Sequence, residues 1–180
     1  MGPLQIVLKP VVDFSNEETT ALHVMKSAVY PDRTPEIEAN RAREWDRPQW
    51  GVFVTDQSGA LVSYTGVVMR SGAVDGQDVV IGGVGGIATH PDHRGKGYAP
   101  LGMGRALDFL LENGAAFGLL VCRDELVGYY TRLGWRLFEG TTLNTQRGEQ
   151  EVFTFNNVMV GDLNSTAPAA GVIDLRGPAW

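Results

Sequence analysis

The chain has 180 residues, 43% of them hydrophobic and 20% charged, and a formal net charge of −6. That length is expected to carry a single domain over 1–180, with a core that needs no metal or disulfide. The negative balance argues against a nucleic-acid partner, and the lone cysteine, Cys122, excludes an internal disulfide framework and a multi-cysteine zinc site.

The opening stretch, about Gln5 to Val12, reads as a strand. It has a lysine inside a short apolar run and no basic n-region, so no targeting segment is read and a cytoplasmic protein is expected. The myristoylation pattern fails at Ile6. No apolar run approaches the roughly 20 residues of a membrane span, so no membrane association is expected. Ser15-x-x-Glu18 is a capping box before a stripe of Ala21, Leu22, Met25, Ala28 and Val29 at helical spacing. Thr34-Pro35 opens a second helix that should end before Pro48. The charged segment 31–49, with Trp45 inside it and Trp50 just beyond, also reads as a flap.

From Trp50 the pattern turns to strands: WGVFVT, a turn at Asp56–Gly59, ALVSYTGVVMR, a turn region from Gly72 to Asp78, and DVVIGGVGGIAT. The pairs Gly82-Gly83 and Gly85-Gly86 mark a bulge or a close backbone approach in that third strand. A helix is predicted over about Tyr98 to Asn113, with Met103, Leu107, Leu110 and Leu111 as its apolar face and Gly114 as its stop. AFGLLVC is a short buried strand, parallel to DVVIGGVGGIAT because a helical crossover joins them. Cys122 therefore reads as a buried strand thiol. A helix over about Glu125 to Leu133 ends at Gly134, and WRLFEG and EVFTFNNVMV supply two late strands, whose edges leave room for a homodimer. The order gives an α+β (mixed α/β) class with a mixed sheet.

The chemistry concentrates in IATHPDHRGKGYAPLG, positions 87–102. A strand ends at His90-Pro91, and the basic turn Arg94-Gly95-Lys96-Gly97 leads into a helix. Amides at a helix N-terminus are unpaired and partly positive, and glycines let the backbone approach a bulky anion. Together they make a diphosphate cradle, with Arg94 and Lys96 adding charge. A P-loop is excluded because position 90 is His and position 97 is Gly; the dinucleotide pattern fails at Pro100. The alternative is a solvated Gly/Lys turn with no ligand. His90 reads as structuring the turn, with help as a base the alternative, His93 as solvent-facing or phosphate-contacting, and His23 has no case for chemistry.

The segment Arg94-Gly95-Lys96-Gly97-Tyr98-Ala99 resembles motif A of the GNAT superfamily of N-acetyltransferases, Arg/Gln-x-x-Gly-x-Gly/Ala. Gly128-Tyr-Tyr-Thr-Arg-Leu-Gly-Trp135 resembles its motif B, and the resemblance covers about 50–139. It implies a GNAT-like fold: a central mixed, mostly antiparallel sheet with a splayed parallel pair, flanked by helices. It implies acetyl-CoA as co-substrate and no metal. The pantetheine arm would bond the backbone of Ile87, Ala88 and Thr89, and the diphosphate the loop from Arg94 to Ala99. Tyr130 would protonate the departing thiolate, or else pack the helix with Tyr129. A strand amide, of Ala88 or Thr89, would polarise the thioester carbonyl. The acceptor would be a small amine, and a cationic one would suit the acidic chain. A non-catalytic acyl-CoA-binding domain, or a protein or longer-chain acyltransferase, are the alternatives.

The last residues, Ile-Asp-Leu-Arg-Gly-Pro-Ala-Trp180, are similar to the ends of aminoglycoside 2'-N-acetyltransferases, although Gly85 stands where that group carries a glutamate. The similarity implies that Asp174 and Trp180 with its α-carboxylate, in a tail over 161–180, line the acceptor pocket.

Overall fold

In the computed structural model, residues 4–30 and 34–180 are described; residues 31–33 of the expected flap lie outside them. The described chain forms two compact units, one of residues up to 43, 48–67 and 86–106, the other of 44–47, 68–85 and 107–180.

In the first unit, β1 (Gln5–Pro10) is antiparallel to β2 (Trp50–Thr55), and β2 to the first half of β3 (Leu61–Val74). Helix α1 (Asn16–Val29) starts on the expected capping box: the Glu18 N–H donates to Ser15 Oγ at 3.1 Å and the Ser15 N–H to Glu18 Oε2 at 2.8 Å. Its stripe buries Met25 in a cluster with Phe53, Tyr64 and Ala88. Phe14 stands edge-on to Phe53 with ring centroids 4.7 Å apart. Helix α2 (Pro35–Arg41) opens on Thr34, whose Oγ1 accepts the Ile37 N–H, with proline in the first turn. Side chains alternate along a strand. Tyr64 therefore faces α1, while Thr65 and Val54 face Gly102 of α3 (Tyr98–Glu112), where an added Cβ would stand 3.1 Å from Thr65 Oγ1. This unit's sheet thus lies between α1 and the start of α3.

The second unit contains β5 (Phe117–Cys122), α4 (Asp124–Arg132), β6 (Arg136–Leu137), β7 (Thr141–Gln146), β8 (Glu149–Val152), β9 (Asn157–Asp162) and β10 (Val172–Asp174). With β4 (Gln77–Thr89), its strands run in the order β6-β9-β5-β4-β3-β10-β7-β8. Strand β4 is parallel to β5, as the crossover argument predicts, and β7 is parallel to β10; β5/β9, β6/β9, β3/β10 and β7/β8 are antiparallel. The sheet is mixed and mostly antiparallel, and the class is α+β. Ile81, Leu119, Ile173 and Leu175 are fully buried at the centre of its core.

Several expectations change. The turn region expected over Gly72–Asp78 contracts to Asp75 and Gly76, with φ of 49° and 80°, because β3 and β4 run into a two-residue hairpin. The two late strands become five. The segment TTLNTQ is a strand although it lacks apolar alternation, because Thr142 and Asn144 occupy its buried positions. EVFTFNNVMV breaks into β8 and β9, and β10 forms from the tail. On α3, Leu111 is exposed and Ala106 is buried beside Met103 and Leu110 in the sequence pattern, so the apolar face is centred one step away from the expected one. Among the described residues no helix is long and apolar enough to cross a membrane.

Candidate active site

The end of β4 and the loop after it belong to the first unit. Gly86 has φ +58°, a conformation that side chains rarely adopt, and it is the bulge that the glycine pairs predict. Beyond it, His90 donates its N–H to the Val62 carbonyl on β3 at 3.0 Å, and the Ala88 carbonyl accepts from Ser63 Oγ at 3.2 Å. Successive peptide groups alternate sides along a strand. The amides of Ile87 and Thr89 therefore point away from β3, whereas that of Ala88 points toward it. Between the two proposed oxyanion donors, this parity favours Thr89, and it adds Ile87.

The loop is fixed by short-range bonds. His90 Nδ1 accepts the Asp92 N–H at 3.3 Å, the His93 N–H reaches the His90 carbonyl at 2.9 Å, and the Arg94 N–H reaches Pro91 at 3.3 Å. His90 thus structures the turn. His93 is wedged between neighbours, its ring 5.7 Å from His90 and 6.1 Å from Tyr98. The chain then takes positive φ at Gly95 (+74°) and Gly97 (+80°), and no atom lies within 4 Å of where a Cβ would stand at either. The two glycines thus turn the backbone around open space, flanked by the exposed side chains of Arg94 and Lys96. Helix α3 follows at once: the Leu101 N–H bonds the Gly97 carbonyl at 3.4 Å. Its first turn holds Tyr98, Ala99 and Pro100 and no acidic residue, so no carboxylate of its own neutralises its positive end. The site residues expected from Ile87 to Ala99 therefore come together in one unit, at the end of β4, in the loop after it and in the first turn of α3.

Tyr130 lies in the second unit, on α4. It is 7% exposed, and its carbonyl accepts the N–H groups of Leu133 and Trp135, which close the helix. The Tyr129 ring stands edge-on to it at 5.1 Å and is half-buried; burial pushes the Tyr129 phenol up, against a smaller lowering by Arg132. Gly134, with φ +91°, turns the chain so that Trp135 packs on Gly118, where an added Cβ would stand 3.0 Å from the ring. Cys122 is buried near the Met159 sulfur, and burial, then Asp124 and Glu125, push its thiol up to about 11.

Asp174 and Trp180 are also in the second unit, and their polar side-chain atoms have partners. Asp174 accepts from the Arg176 N–H at 2.8 Å and from Gln150 Nε2 at 3.1 Å. Strand β4 pairs with β5 only from Ile81↔Phe117 to Gly83↔Leu119. There the Trp180 indole N–H takes the Leu119 carbonyl at 3.1 Å, and the indole lies where a Cβ on Gly83 would be. Arg70, which carries no signal in the sequence, holds this segment. It donates to the Pro178 carbonyl at 2.6 Å, pairs with Asp46, and sits 5.3 Å over the Trp180 ring. In the first unit the sequence also passes over Lys26, whose ammonium lies over Tyr64 beside Gly86.

Among curated proteins, none matches the chain by sequence. Solved structures do match in fold. The GNAT family N-acetyltransferase YhbS of Escherichia coli, solved with CoA, has a TM-score of 0.62 at 19% identity, covering 98% of this chain and 91% of that one. The ribosomal-protein-S18-alanine N-acetyltransferase of Escherichia coli has 0.56 at 15%, covering 91% and 97%. A GNAT family acetyltransferase of Brucella melitensis, solved with acetyl-CoA, has 0.56 at 13%, covering 94% of each. The family model for the acetyltransferase (GNAT) domain matches residues 13–138, more than half of the sequence, and the chain belongs to that family.

Proposed function

We propose that the protein transfers an acetyl group from acetyl-CoA to the primary amine of a small, cationic acceptor by direct attack. The observation that carries this reading is the backbone of residues 94–99, which curls around open space on two positive-φ glycines and enters a helix with no acid in its first turn. That cradle suits the diphosphate of coenzyme A, with Arg94 and Lys96 adding charge. The solved relatives that hold CoA or acetyl-CoA support the same choice of co-substrate. The outward amides of Ile87 and Thr89 would bond the pantetheine arm, and one of them would polarise the thioester carbonyl. The neutral amine attacks that carbon and the C–S bond breaks. Tyr130, in the role its motif implies, gives its phenolic proton to the departing sulfur. Asp174 and Trp180 with its α-carboxylate would line the acceptor pocket, as the likeness of the C-terminal residues implies, while their side-chain polar atoms also bond within the second unit. The net charge of −6 favours approach of a cationic amine.

The test is thiol release from acetyl-CoA with a panel of polyamines and aminoglycosides, beside calorimetric titration with CoA. Binding together with amine-dependent release supports the reading. Binding with no release for any amine would favour an acyl-CoA sensor, and no binding would remove both.

A further inference from the structure

Among the three lysines of the chain, Lys9, Lys26 and Lys96, two have ordinary surroundings. Lys9 pairs with Glu18 at 2.6 Å, and Lys96 is exposed in the cradle loop. Lys26 differs. It lies in the last turn of α1, directly after the buried Met25, and is itself half-buried. Its Nζ stands 5.2 Å over the Tyr64 ring and 4.0 Å from where a Cβ on Gly86 would be. Among the described residues no carboxylate pairs with it.

The placement follows from the contacts on either side of Ile87: Ala88 packs with Met25 of α1, and the Cβ position of Gly86 lies toward the same helix, 4.0 Å from Lys26 Nζ. Ala88 fills its position against Met25, and Gly86 leaves its own bare. A lysine one residue after the core methionine therefore reaches the glycine bulge instead of water. The next residues of β4 include Ile87 and Thr89, whose amides would bond the pantetheine arm in the reading above, one of them polarising the thioester carbonyl. Among the described residues, Tyr64 from β3 faces Lys26, Gly86 brings no titratable side chain, and on its own helix His23 and Tyr30, both exposed, stand one turn away. Tyr64, buried and pushed up to about 12, stays neutral at ordinary pH.

We propose that Lys26 is the general base of the reaction, taking a proton from the acceptor's ammonium group before attack. This rests on the acetyl-transfer reading above. The Nζ lone pair takes one proton from the ammonium, leaving a neutral amine, and Lys26 then returns that proton to solvent. The amine nitrogen bonds to the thioester carbon. As the C–S bond breaks, the nitrogen loses its second proton, balancing the one delivered to sulfur. Amide, thiol and one free proton result. Removal from water, with no carboxylate paired to it among the described residues, lowers the amine's proton affinity and so fits the role. A positively charged lysine serving only as an anchor would have been given a carboxylate.

The role separates amines by protonation state. With acetyl-CoA and spermidine, Lys26→Met should lower kcat/KM by about 10²–10⁴-fold. With O-methylhydroxylamine, which is unprotonated at neutral pH, the same variant should lose less than about tenfold. For spermidine the wild-type pH profile should level off below the amine's own titration, whereas that of Lys26→Met should keep rising through it. Lys26→Arg keeps the charge and the contact with Tyr64, and should not restore activity. Equal losses with both amines, or an unaltered profile, overturn the proposal. Competitive acetylation of the three lysines by acetic anhydride, read by mass spectrometry across pH, needs no turnover. Lys26 should titrate below the ordinary lysine range, and titration within that range overturns the proposal. Failure of acetyl-CoA to bind the wild-type chain would instead overturn the reading beneath it.

Discussion

Gly97 has a backbone that a side chain can occupy only under strain, yet nothing crowds it. A substitution there acts through conformation and through the space taken from the anion, and not through the core. Gly97→Val should add roughly 1–3 kcal/mol of strain and weaken CoA binding by about tenfold or more. Gly97→Asn should be milder in stability, because asparagine tolerates positive φ. Calorimetry and thermal melting read both effects, and unaltered CoA affinity in the valine variant would remove the cradle. Tyr130→Phe should lower turnover by about 10²-fold or more with little change in acetyl-CoA affinity; full activity rejects its acid role. Cys122, held protonated up to about pH 11, should resist iodoacetamide at pH 8 in the folded chain. Rapid alkylation would place it at the surface. The glycines of the loop were legible because few other residues take such φ values. Lys26 and Arg70 were not, since a lone basic residue in a helix or strand reads as a solvated one until its neighbours across the chain are known.

Among the elements, those with a local cause were read nearly to the residue. The Ser15/Glu18 box, Thr34-Pro35, Gly114 and Gly134 each satisfy or end a helix by short-range bonds. Ser15→Ala should therefore cost about 1 kcal/mol, seen as a lower melting temperature, and no shift would mean the exposed box contributes nothing. Strands with a nonlocal cause were missed. β7 is held by pairing on both sides, and its inward positions are Thr142 and Asn144, so no apolar alternation announces it. The direction of the amides along β4 needed register with β3, which periodicity does not contain. In the second unit, the end of β4/β5 pairing depends on the fit between Gly83 and the Trp180 indole. Trp180→Ala should cost about 3–5 kcal/mol through the cavity and the orphaned Leu119 carbonyl. Gly83→Ala should cost about 1–3 kcal/mol by overpacking, and the double variant should lose less than the sum. Strict additivity would show that the two do not touch.

At the scale of the whole molecule, an acidic chain is asked to hold an anionic co-substrate, and the conflict decides where the affinity must come from. The field of the protein opposes coenzyme A, so binding has to rest on fixed local dipoles and on Arg94 and Lys96. Arg94→Ala with Lys96→Ala should weaken CoA binding, and by a larger factor at low salt than at high salt, since both side chains are exposed and screened. The fold class and the family were legible because motif A and motif B each carry their own chemistry in a short span. The acceptor was not, because no short motif of the chain carries a chemistry that names it. The most direct test of the cradle is backbone hydrogen exchange with and without CoA. Protection should appear at residues 94–101 and at Ile87 and Thr89. Saturating CoA with no protection of residues 94–101 would contradict the account.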